Sequence, residues 1–97
     1  MSRYILLYTG PSTSPAASHD AWPGWFRHAG DRLVDVGSPL IGGRTIRNDK
    51  SMADPASRVN GYSIVEAGDM TEAIALLGDH PYLSQGEPFT IEVHALG

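Results

Sequence analysis

The 97-residue sequence has no cysteine, which excludes disulfides, thiolate nucleophiles and Cys-ligated zinc or iron–sulfur centres. It has a single lysine, Lys50, set in a polar stretch, so amine catalysis has no candidate near an apolar core. Basic charge is scarce as well: 7 Lys+Arg against 11 Asp+Glu give a formal net charge of -4. A protein that grips phosphate backbones usually runs the other way, so no nucleic-acid partner is expected. No apolar run approaches the ~20 residues that cross a bilayer, and no membrane partner is expected either. The run at 4–8 is too short for a secretory core and meets a turn at Gly10-Pro11; the expected compartment is the cytoplasm. Paired histidines at i, i+4 and a Gly-x-Ser-x-Gly elbow are both missing, and Gly42-Gly43 lacks the lysine of a phosphate loop. Neither a metal nor a cofactor is expected.

What is present is ordinary globular material, 41% hydrophobic and 19% charged. A chain of this length buries roughly 64% of its unfolded surface, enough for one core, so residues 1–97 are read as a single domain. Residues 4–8, rich in aromatic and branched side chains, read as a strand. After the Ser/Pro loop at 12–18, Trp22, Phe26, Ala29, Leu33 and Val36 recur at helical spacing. The pattern predicts a helix starting near 20–23, with Asp20 as N-cap and Pro23 in the first turn, and ending at Gly37. Residues 40–47 read as a strand bent at Gly42-Gly43, 48–57 as an exposed loop, and 61–66 as a third strand. Asp69 and Glu72 form a capping box that opens a second helix, with Met70, Ala73, Ile74 and Leu77 as its buried stripe and Gly78 as its stop. Phe89, Ile91, Val93 and Ala95 alternate with Thr90, Glu92 and His94 in a last strand.

The order is βαββαβ, an α+β ferredoxin-like fold. Right-handed crossovers put both helices on one face of the sheet. In the first strand Ile5 and Leu7 point one way while Tyr4, Leu6 and Tyr8 point the other, so both sheet faces are apolar. A second copy covering the open face would make a homodimer, the dimeric α+β barrel.

Several segments carry a family resemblance: Trp22-x-x-Trp25-Phe26, Gly30-Asp31-x-Leu33-Val34-Asp35-x-Gly37-x-Pro39-Leu40, Gly61-Tyr62-Ser63-Ile64-Val65-Glu66-Ala67, His80-Pro81-x-Leu83-x-x-Gly86 and Ile91-Glu92-Val93. Taken in this order the sequence resembles the YCII-related (YciI-like, DGPF-relative) proteins over nearly its whole length. The resemblance implies a dimeric α+β barrel. One relative is a dehydrochlorinase of chloroaromatic breakdown, and a histidine on or near the first helix has been proposed as catalytic in YciI-like members. Here the nearest match to that histidine is His19 or Asp20. Met52-Ala53-Asp54-Pro55 stands where relatives have Asp-Gly-Pro-Phe.

With thiol, serine elbow and lysine gone, imidazole is the group whose pKa, ~6.5, suits proton transfer near neutrality. His80, held before Pro81, is the leading catalytic candidate; its alternative is a loop histidine at a helix end. His19 is the second candidate, or else a solvated loop residue. Asp35 is a candidate orienting carboxylate, or an ion-pair partner of Arg32. Glu92 is the other, and it shares a strand face with His94, about 7 Å away. His94 belongs to a substrate-contacting polar pair if that face lines a dimer barrel, and to an exposed edge if it does not. Trp22 and Trp25 read as an aromatic wall for a flat ligand or as core.

The function expected is binding of a small organic molecule in a cleft between helices and sheet, with cofactor-free, lyase-like proton transfer in an elimination or isomerisation. The alternative is a non-catalytic dimeric ligand-binding or accessory domain. What separates them is whether an imidazole and a carboxylate converge in one apolar pocket.

Overall fold

The computed structural model describes residues 1–11, 21–55 and 58–97. Strand β1 (Ser2–Thr9) is followed by helix α1 (Trp22–Ala29), strand β2 (Leu33–Pro39), a short hairpin of β3 (Thr45–Ile46) and β4 (Met52–Ala53), strand β5 (Val59–Ala67), helix α2 (Met70–Ala75) and strand β6 (Thr90–Ala95). The main sheet runs β2-β5-β1-β6, with every neighbouring pair antiparallel. That is the α+β, ferredoxin-like βαββαβ arrangement, carrying an extra hairpin between its second and third sheet strands.

Alternation decides the layers. Tyr4, Leu6 and Tyr8 of β1 and Val65 and Ala67 of β5 are buried with Trp25 and Ala29 of α1, and with Ala73, Leu76 and Leu77 at α2. Ile5 and Leu7 point to the open face, where Ile5 lies between Ile64 and His94, and Leu7 between Tyr62 and Glu92.

The first helix is shorter than its spacing predicts, and the second strand begins earlier. Gly30, at φ 55, ends α1, and one 3-10 turn over Gly30–Arg32 leads into β2. Leu33 and Val36 extend the helical spacing of Trp22, Phe26 and Ala29 by coincidence, whereas branched Val34 and Val36 suit extended backbone. Gly37 therefore sits inside a strand, at an irregularity of β2, with φ 82. A Cβ there would stand 1.7 Å from the Tyr62 carbonyl oxygen, so the close approach of β2 to β5 requires glycine. The predicted strand at 40–47 is reduced to Thr45–Ile46, and Met52–Ala53 pairs with it inside the expected loop.

The N-cap of α1 is Ala21, with no side-chain bond; the expected cap, Asp20, lies outside the described residues, as does His19. Pro23 occupies the first turn, as expected. At α2 the Asp69 carboxylate accepts the Glu72 N–H at 2.8 Å, as the capping box predicts. The buried stripe is rotated: Ala73, Leu76 and Leu77 face the core, while Met70 and Ile74 are exposed. Met70 and Ile74 line an apolar groove with Leu83, Ile91 and Val93. Among the described residues no helix is long and apolar enough to cross a membrane.

Candidate functional site

His80 is the centre of the helix-side site. Five residues beyond the end of α2, its backbone N–H bonds the Leu77 carbonyl at 3.1 Å, which turns the chain back toward the sheet and drives the imidazole inward. Only 1% of His80 is exposed. Its ring centroid lies 4.2 Å from Trp25, 4.9 Å from Trp22 and 5.1 Å from Tyr8. Both tryptophans project from α1, three residues apart on one side of the helix, so a single helical turn supplies two walls of the cage.

The hydrogen bonds fix the tautomer. The Tyr82 backbone N–H donates to His80 Nδ1 at 3.0 Å, so that nitrogen carries no proton. The proton of the neutral ring sits on Nε2, which donates to Tyr8 Oη at 3.2 Å. Tyr8 Oη donates to Ser63 Oγ at 2.8 Å, and Ser63 Oγ donates to the Val36 carbonyl at 2.7 Å. Four groups thus form one directed chain from the α2 side to the edge strand β2. Burial holds the His80 pKa down at about 4, against a weaker upward pull from Asp79. Burial also pushes the Tyr8 phenol up to about 12, opposed by its Ser63 bond. Near neutral pH the pair is uncharged.

Tyr82 closes the far side. Its phenol donates to the Thr9 carbonyl at 2.8 Å and accepts from Asn60 Nδ2 at 3.0 Å; burial raises its pKa, and the Asn60 bond works against this. Asn60 Nδ2 also reaches the Pro11 carbonyl at 2.9 Å. Trp25 Nε1 donates to the Leu76 carbonyl at 3.2 Å. Trp22 Nε1 is, among the described residues, the one buried side-chain nitrogen or oxygen without a hydrogen-bond partner.

The structure thus brings together three of the residues singled out from the sequence, His80, Trp22 and Trp25. It sets Asp35, Glu92 and His94 apart from them. Asp35 registers with Ile64, and Glu92 and His94 with Leu7 and Ile5, so all three belong to the open sheet face, opposite His80. Asp35 is exposed and accepts the Gly37 N–H at 2.8 Å; Arg32 pairs with Glu72 instead, at 3.2 Å. Glu92 and His94 pair with each other at 3.0 Å. Among the described residues, no carboxylate is hydrogen-bonded to His80, and no three His, Asp or Glu side chains gather as metal ligands.

Tyr8, Ser63, Tyr82 and Asn60 were not singled out from the sequence. Ser63 did leave a signal: it is the one hydroxyl in the inward-facing series Gly61, Ser63, Val65 and Ala67, where a polar side chain needs a partner.

No family model matches the sequence, and no curated protein matches it by sequence. Among solved structures, the fold is similar to 5-chloro-2-hydroxyhydroquinone dehydrochlorinase from Burkholderia phenoliruptrix AC1100, in complex with 2,5-dihydroxybenzoquinone. The TM-score is 0.56 at 18% identity, over 97% of this chain and 93% of that one. At that identity the likeness is one of fold.

Proposed function

We propose that this chain is a YCII-related protein that binds a small organic molecule beside His80, Tyr8 and Trp22 and stabilises the oxyanion formed on it in an elimination or isomerisation, the substrate proton passing to solvent water and, in an elimination, the halide leaving with the electrons of its bond. The observation that carries the reading is the buried His80–Tyr8–Ser63 chain inside an aromatic cage. A neutral imidazole with its proton fixed on Nε2 is a donor, not a base. A protonated phenol beside it is a second donor. Aligned in series in buried surroundings, His80 behind Tyr8, they suit a substrate oxygen that gains negative charge, as in an enolate or phenolate. Turning the Tyr8 hydroxyl from Ser63 to such an oxygen keeps the His80 bond behind it. The neighbouring fold's dehydrochlorinase supports the same class of chemistry.

The test is halide release or isomerisation across a panel of chlorinated hydroquinones and hydroxyquinones. His80→Gln and Tyr8→Phe are expected to lower kcat by about 10²- to 10³-fold, the effect of losing an oxyanion donor. Variants that match the unsubstituted protein on a turned-over substrate overturn the proposal. The second reading, a ligand-binding or accessory domain, is favoured by the engagement of both His80 nitrogens and by the absence of a bonded carboxylate among the described residues. Saturable binding without turnover would select it.

A further inference from the structure

The hairpin between β2 and β5 turns its larger apolar side chains outward. Its strands are two residues each, a length at which an isolated hairpin is marginal in water. Ile46 lies across from Met52, so the two share one face, and Thr45 and Ala53 share the other. Thr45 and Ala53 are the half-buried pair, whereas Ile46 and Met52 are 65% and 68% exposed, and nearby Ile41 is fully exposed. Three large apolar side chains thus stand in water on one segment, the mark of a surface that meets a partner. Residues 40–55 also hold three of the seven Lys and Arg of the chain, Arg44, Arg47 and Lys50, against Asp49 and Asp54. Arg44 pairs with Asp54 at 3.8 Å, and Arg47 donates to the Ser51 hydroxyl at 3.1 Å.

The complement lies at the opposite edge of the sheet. Met70 and Ile74 of α2, Leu83 of the turn that follows, and Ile91 and Val93 of edge strand β6 line a groove of about 380 Å³. No polar side chain lines it, so it lacks the groups that orient a small polar ligand and suits apolar side chains instead. Exposed Asp69 and Asp79 adjoin its lining residues Met70 and Gly78, and residues 68–97 hold five Asp and Glu with no Lys or Arg. An apolar knob beside basic side chains therefore meets an apolar groove beside acidic ones. We infer that the hairpin of one copy docks into this groove of a second copy, reciprocally, with Ile46 and Met52 as the inserted pair. This contact needs nothing from the His80 cage. Within one chain the hairpin leaves its own groove unfilled, as the exposure of Ile46 and Met52 shows. Hairpin and groove nevertheless share one end of the sheet. Pro39 and Val59, which flank the hairpin, register with Gly61 and Thr9, and Thr9 registers with Thr90, next to Ile91. A two-fold axis along the strands keeps ends and exchanges edges. It brings each hairpin to the other copy's groove with the two open sheet faces toward each other, so the contacts close within a pair.

Because the chain has no cysteine, introduced thiols report on the contact directly. Ile46→Cys and Ile74→Cys are prepared as separate proteins, mixed at micromolar concentration and oxidised with oxidised glutathione. They are expected to give a mixed disulfide of twice 10.4 kDa. Ile46→Cys mixed with Ala75→Cys, whose thiol is exposed on α2 outside the groove, is expected to give little. In sedimentation, Ile46→Ser combined with Met52→Ser should weaken self-association about tenfold or more. Arg47→Glu combined with Lys50→Glu should weaken it about three- to tenfold at low salt, and less at 1 M salt. All these positions are exposed, and circular dichroism and the melting temperature confirm that each variant is folded. Equal yields for the two disulfide pairs, or self-association unchanged by the Ile46 and Met52 substitutions, overturn the inference. So does a single 10.4 kDa species for the unsubstituted protein, which leaves the groove to an apolar small molecule or to a different protein.

Discussion

At the scale of single residues, His80 should make stability depend on pH in a definite direction. Folding lowers its pKa from 6.5 to about 4. Between those values the unfolded chain binds a proton that the folded chain refuses. This contribution to stability is therefore complete above about pH 6.5 and is lost as the pH falls toward 4, by up to about 3 kcal/mol. Denaturant unfolding of the unsubstituted protein and of His80→Gln at pH 7.5, 6.5, 5.5 and 4.5 isolates the effect, because the carboxylates titrate in both. The unsubstituted protein should show the steeper acid loss; parallel curves would contradict the burial argument. His80, Trp22 and Trp25 were legible in the sequence because their residue types announce chemistry or mass. Their partners were not, because Tyr8 and Ser63 lie 72 and 17 residues from His80 and meet it only across the sheet. The separation of Glu92 from His80 was readable after all: if Ile91 and Val93 face the helices, Glu92 cannot.

At the scale of elements, local chemistry was legible where one signal acted alone and misleading where two periods overlapped. The Asp69 cap, the strand before it and the alternation of β6 each follow from a few residues with one meaning. From Trp22 to Val36, however, a helical period runs on through Leu33 while Val34 and Val36 favour strand, and Gly30 settles the matter by adopting φ 55. Glycine's meaning at Gly37 is equally dependent on context. Gly37→Ala places a methyl against the Tyr62 carbonyl at a positive φ and should cost about 3 kcal/mol or more. The same substitution at Gly24, inside α1, meets nothing closer than the end of the Arg27 side chain at 3.9 Å and should raise stability by about 0.5–1 kcal/mol. Urea midpoints of the two variants check both signs at once; equal effects would show that the β2–β5 contact is looser than described.

At the scale of the whole molecule, both helices lie on one face of the four-stranded sheet and leave the other face open. Ile5, Leu7, Tyr62 and Ile64 form a half-buried apolar centre, flanked by the Glu92–His94 pair and by Arg3 and Glu66 at 3.6 Å. A two-fold dimer through this face would cover the apolar centre and set those charged pairs at its rim, closing two four-stranded sheets into one barrel. We propose that homodimer, and sedimentation at micromolar concentration should then give a species of twice 10.4 kDa. Leu7→Glu puts a second carboxylate beside Glu92 in the middle of the contact and should yield a folded monomer. Because Leu7 points away from the helices, the His80–Tyr8 chain stays intact in that variant, so ligand binding can be measured on the monomer. A single 10.4 kDa species for the unsubstituted protein, or an unchanged mass for Leu7→Glu, would mean that the open face meets water and that half-exposed Ile5, Leu7 and Ile64 are tolerated there.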